Sequence, residues 1–192
     1  MKQNKQLFFS HTWRPDSLGR NTHHRVFELV KKLRDCGWKT WFDEEDMKGN
    51  IDAAMADGID NADVVLVCLT ETYCKKVNET AKNLRSRDNC LKEWTYANAR
   101  NKLMIPIVME PYLLDPGNWP AGIVSLYLGS TLYLDASKDD LDEAVIFINK
   151  YLLKQGLHPN GNIKKIFTHI LNTTKNNTKN NTKNNFIPIS SP

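Results

Sequence analysis

Asn61-Ala62-Asp63-Val64-Val65-Leu66-Val67-Cys68-Leu69 is the stretch whose reading decides the fold. From Val64 to Leu69 every side chain is apolar, at odd and even positions alike, with a polar turn signal in front and Thr70 behind. A strand with that pattern is buried on both faces, and such strands sit in the middle of parallel sheets covered by helices on either side. The segments around it should therefore alternate between helix and strand.

Upstream they do. Val26, Leu29, Val30 and Leu33 recur on one helical face that Gly37 stops, and Ile51, Ala54, Met55 and Ile59 form a second such face. Before and between these lie short strand-like runs, Gln6 to Ser10 and the aromatic-rich Trp38 to Asp43. Downstream, Tyr73 to Asp88 reads as an irregular charged loop and Cys90 to Arg100 as a helix. Leu103 to Val108 is a fourth strand, Leu132 to Leu134 a short fifth. Ser137 is placed to cap a last helix carrying Leu141, Val145, Ile148 and Leu152, with Gly156 past its end.

These alternating units predict an α/β fold: a single doubly wound, mostly parallel five-stranded sheet in the flavodoxin-like order 2-1-3-4-5. The domain is expected over residues 1–159, with a short extension at 160–171. Residues 172–192 read as a disordered Asn/Lys/Thr-rich tail, because Thr174-Lys175-Asn176-Asn177 recurs from Thr178 and Thr182 without an apolar side chain. In this topology the carboxyl ends of the strands bring Ser10 to Leu18, Asp43 to Asn50 and Thr70 to Cys90 around one crevice.

Composition removes several functions. At 192 residues the chain allows one ordinary domain with an appendage, and 41% hydrophobic with 25% charged residues is a folded-domain balance. The formal charge of +4 comes from the end of the chain: five lysines and no acid follow Asn160, leaving 21 basic against 22 acidic residues before it. A neutral domain offers no basic face for nucleic acid. No window approaches the ~20 apolar residues that span a bilayer, and residues 1–6 have no apolar targeting core, so a cytoplasmic protein without a membrane partner is expected. Cys36, Cys68, Cys74 and Cys90 contain no C-x-x-C pair and read as reduced, buried thiols. His11, His23 and His24 have no Cys, Asp or Glu at ligand spacing along the chain, so solvated or capping histidines are expected and no metal.

Motifs of other doubly wound proteins are missing. There is no G-x-x-x-x-G-K-[ST] and no G-x-G-x-x-G after the first strand, where His11-Thr12-Trp13-Arg14-Pro15-Asp16 stands instead. The acidic pair with which receiver domains hold magnesium is also lacking there, since the strand ends Phe9-Ser10-His11.

What the chain resembles is the TIR (Toll/interleukin-1 receptor) domain family. The resemblance rests on Leu7-Phe8-Phe9-Ser10-His11, on Gly37-Trp38-Lys39-Thr40-Trp41-Phe42-Asp43, and on Ile51 through Ile59-Asp60-Asn61-Ala62-Asp63-Val64-Val65-Leu66-Val67. Further boxes are Asp88-Asn89-Cys90-Leu91-Lys92-Glu93-Trp94, Leu103 to Val108, and Asn118-Trp119-Pro120. They occur in family order from about Gln6 to Leu153.

The resemblance implies one of two functions. Some TIR domains are non-enzymatic modules that bind other TIR domains in signalling, as adaptors or decoys. Others hydrolyse NAD, giving nicotinamide and ADP-ribose or a cyclic form, and commonly self-associate, a neighbour's loop completing the site. NAD is then the substrate and no cofactor is needed. The glutamate of the family's "Cl.El" box is catalytic in the enzymes and falls here on Glu93; a carboxylate suits the oxocarbenium-like transition state formed as nicotinamide leaves. A glutamate early in a helix is also explained by the helix dipole alone. The resemblance adds Ser10, His11, Arg14, Trp41, Asp43 and Cys90 as candidate NAD-binding residues. Trp41 could stack on a base or belong to the core; Arg14 could meet the pyrophosphate or be solvated. Trp94 reads as core. Asn89 stands where several NAD-cleaving relatives carry Trp.

Overall fold

The computed structural model describes residues 6–46, 49–82 and 88–159. The read extension and tail, 160–192, lie outside the described residues, as do Met47 and Lys48.

Strand β3 (Val64–Leu69) is the centre of the sheet. On one side lies β1 (Leu7–Ser10), followed by β2 (Thr40–Trp41); on the other lies β4 (Leu103–Val108), followed by β5 (Leu134–Asp135). All four pairings are parallel, giving the order 2-1-3-4-5. Alternation along the strands splits the core in two. Leu7, Phe9, Val64, Leu66 and Cys68 face helices α1 (Thr22–Asp35) and α7 (Asp142–Lys154). Phe8, Val65, Val67 and Leu69 face α3 (Ile51–Asp60), α4 (Glu71–Thr80), α5 (Asn89–Ala99) and α6 (Ile123–Leu128). A fully apolar β3 is thus required by helices on both faces. A one-turn helix, α2 (Asp43–Asp46), follows β2.

Side chains at the ends fix where the helices start. Asn21, Asn50, Thr70 and Asp88 accept from the backbone N–H groups of His24, Ala53, Tyr73 and Cys90 and cap α1, α3, α4 and α5. Gly37 takes φ 92°, which lets the Trp38 amide turn back onto the Leu33 carbonyl at 3.1 Å and end α1.

Four readings of local structure change: β5, read at Leu132 to Leu134, lies at Leu134–Asp135, and three others differ. Tyr73 to Thr80 is helical, because Thr70 caps it and Tyr73, Cys74 and Val77 are buried under α5 and α6. Ser137 does not cap the last helix: its amide bonds Asp135 Oδ1 at 2.8 Å, and the helix begins at Asp142, whose N–H is taken by Asp140. Between β4 and β5 the chain adds two 3-10 turns, Pro111–Leu114 and Pro116–Asn118, and α6, all unread from sequence. The four cysteines are buried and free.

Candidate active site

Beyond the carboxyl ends of β1 and β2 opens a crevice of about 490 Å³, within the usual range for small-molecule sites. Three segments line it: His11, Trp13 and Arg14 after β1; Asp43 after β2; and Lys76, Asp88, Asn89, Cys90 and Glu93 from α4 and α5. The loop after β1 is anchored from below. Arg20 bonds Asp16 through Nε at 2.7 Å and reaches the Met109 carbonyl, while Ser17 donates to the buried Glu110 at 2.7 Å. Arg25 joins the ends of β4 and β5 by donating to the carbonyls of Met109, Ala136 and Lys138.

Glu93 is buried at the inner end of α5 and is its fifth residue, past the first turn, so the helix dipole alone does not explain an acid here. Its Oε2 accepts from Ser10 Oγ at 2.7 Å, and Ser10 Oγ lies 2.8 Å from the Tyr73 hydroxyl. Ser10 has one proton and gives it to Glu93, so Tyr73 donates to Ser10. Burial pushes the Glu93 carboxyl up to about 8; the Ser10 bond pulls it down, the charges of Asp43 and Asp88 add to the rise, and Lys76 opposes them. Glu93 also lines a second cavity of about 190 Å³ between α3 and α5, with Met55, Ile59 and Tyr96.

Cys90 is a buried thiol. Its thiol lies 3.4 Å from the His11 carbonyl, and burial with the nearby Glu93 raises its ionisation well above the ordinary range. Lys76 pairs with Asp88 at 2.9 Å, which places a cation at the rim beside Asn89.

Trp41 is not among the residues lining the crevice. Its ring stacks on Phe8, with centroids 4.4 Å apart and planes 16° from parallel, inside the core shared with α3. The aromatic at the mouth is Trp13, 61% exposed, stacked on His23 at 3.9 Å and donating from Nε1 to Asp43 Oδ2 at 2.6 Å. An aromatic inside a polar loop after the first strand was the signal available in the sequence. Trp94 is buried in the core, as read.

His11 and His23 are not solvated or capping. His11 is buried, and its Nε2 lies 2.8 Å from His23 Nδ1. The third group missing from the spacing along the chain is supplied by the fold: Asp43 lies 3.9 Å from His11 Nε2 and 4.0 Å from His23 Nδ1. Burial lowers the His11 imidazole to about 4, against the raising effect of Asp43.

The profile of the family described as TIR domain matches residues 8–146. The chain belongs to the TIR domain family. Among solved structures it is similar to the TIR domain of the Toll-related receptor TRR-2 from Hydra magnipapillata, at 20% identity, covering 76% of this chain and 94% of that one with a TM-score of 0.49. Comparison with curated proteins gives no match. No helix among the described residues is long and apolar enough to cross a membrane.

Proposed function

We propose that this TIR domain is an NAD hydrolase that cleaves the nicotinamide–ribose bond, with Glu93 as the catalytic residue. The observation that supports this best is a buried carboxyl at the inner wall of a crevice of dinucleotide-compatible size, held by Ser10 through a bond of 2.7 Å.

The chemistry follows from charge. In NAD the nicotinamide is cationic; as the C–N bond breaks, its electron pair passes to the ring nitrogen and nicotinamide leaves neutral. The positive charge moves to the ribose, where an adjacent carboxylate stabilises it. Water then forms the new bond to the anomeric carbon and loses a proton to Glu93 or solvent, giving ADP-ribose; capture by an internal nucleophile gives a cyclic form. The free protein holds Glu93 largely protonated at neutral pH, and the cationic substrate favours its ionised form. Ser10 keeps the carboxyl oriented. In this reading Arg14 meets the pyrophosphate, Trp13 stacks on a base, and His11, Asp43 and Cys90 shape the wall between them. Trp41, packed in the core, has no place in substrate contact. Self-association, with the segment from Glu44 to Asn50 meeting a neighbour's crevice, belongs to the same reading.

The test is direct. Concentrated purified chain incubated with NAD is expected to release nicotinamide in step with NAD loss. No nicotinamide at any protein concentration, together with saturable binding to another TIR domain, would instead assign an interaction module.

A further inference from the structure

We infer that His11, His23 and Asp43 form a binding site for one divalent transition ion of the zinc class at the wall of the crevice. The three residues come from the loop after β1, the first turn of α1 and the start of α2, and each offers one donor atom, all within 4.8 Å of one another. Ligand atoms around a tetrahedral zinc with bonds of ~2.0–2.1 Å lie roughly 3.3 Å apart. The two nitrogens lie 2.8 Å apart, Asp43 Oδ1 lies 4.0 Å from His23 Nδ1 and Oδ2 lies 3.9 Å from His11 Nε2, so the separations fall on either side of that value and modest side-chain adjustments bring the three groups around one ion.

The surroundings orient the donors. The Phe9 carbonyl, an acceptor 3.5 Å from His11 Nδ1, favours the tautomer with the proton on Nδ1 and a lone pair on Nε2 toward His23. In that tautomer His23 Nδ1–H donates to His11 Nε2 across 2.8 Å. An ion placed between the two rings takes the position of that proton, which moves to Nε2 of His23, so both imidazoles stay neutral. Asp43 Oδ2 accepts from Trp13, which orients the carboxylate with Oδ1 4.0 Å from His23 Nδ1. Phe42 stacks on both imidazoles, at 5.4 and 5.1 Å, and Trp13 covers His23. Two nitrogens and one carboxylate suit zinc and its neighbours, whereas magnesium and calcium require oxygen donors. Three protein ligands leave coordination open, and two of them, His11 and Asp43, line the crevice.

The experiment needs no NAD, so it stands or falls apart from the hydrolase reading. Tag-free full-length chain, stripped with a chelator, is titrated with Zn2+ by calorimetry and with Co2+ by visible absorption. One equivalent is expected to bind, insensitive to excess Mg2+, with a tetrahedral or five-coordinate Co2+ spectrum. His23→Ala is expected to weaken zinc at least ~100-fold, Asp43→Asn by at least ~10-fold, and His24→Ala, exposed beside the cluster, not at all. Melting in chelator checks that each variant is folded; if His23→Ala is not, Asp43→Asn carries the test. Absence of saturable uptake, displacement by Mg2+, or equal affinity in wild type and both ligand variants would overturn the site.

Discussion

At Glu93 the energetics and the chemistry depend on the same proton. The folded carboxyl ionises at about 8 against 4.5 in an open chain, so between these values the folded state keeps a proton that the unfolded state loses. The group's contribution to stability is complete below about 4.5 and declines by roughly 1.4 kcal/mol per pH unit as an upper-range figure. It is gone above about 8. In metal-free buffer, the stability of wild type relative to Glu93→Gln is expected to fall across that window and level off above it. A difference independent of pH would mean an ordinary solvated glutamate. If the carboxylate form does the chemistry, kcat/KM rises with pH through about 8, since that parameter reports the free enzyme. Ser10→Ala removes the bond that pulls the ionisation down, so it should move the rise to higher pH. An unmoved profile would separate Ser10 from Glu93.

How legible this site was depends on the residue. Ser10, Asp43 and Glu93 can be singled out along the chain because each ends or follows a recognisable motif. Whether Trp41 faces the crevice or the core stayed open along the chain because a two-residue strand cannot show which face its side chains take; the structure packs it in the core. The meeting of His23 with Asp43 was invisible along the chain: the parallel pairing of β1 and β2 brings the segments that carry them together.

Among the elements, α3 offers a test of packing against propensity. A Cβ added at Gly58 would lie 2.7 Å from the Trp41 indole, and the Phe8 stack behind that ring leaves it little room. Helix propensity alone favours Gly58→Ala by ~1 kcal/mol, whereas overpacking opposes it by about 1–3 kcal/mol. A lower melting temperature is expected; a higher one would show that the ring yields. β3 and β4 were read to the residue because an unbroken apolar run has one solution in a two-layered sheet. α4 was missed since its apolar residues, Tyr73, Cys74 and Val77, are diluted by charge, and α6 because Leu126 and Tyr127 on its outer face blur the helical pattern.

For the whole molecule, the sheet order followed from the alternation of units, and the crevice from the order. The neutral charge of residues 1–159 leaves self-association free of strong repulsion. If a neighbour's segment completes the site, specific activity should rise with protein concentration by mass action. Reversing the charges of Glu44 and Glu45 should flatten that rise without unfolding the domain. Asp46 is spared because its carboxylate accepts from the Phe42 amide. Activity strictly proportional to enzyme, unchanged in the double variant, would mean a self-sufficient monomer.

The most direct measurement for the central claim is nicotinamide release by concentrated wild type and by Glu93→Gln, side by side at one pH near 8, with matched melting curves. Gln keeps the shape and the bond from Ser10 but cannot carry the charge that the transition state needs, a loss worth ~3 kcal/mol or more, about 100-fold or greater in rate. Release in the wild type and a rate at least that much lower in the folded variant is the predicted result. Equal release from both proteins would contradict it.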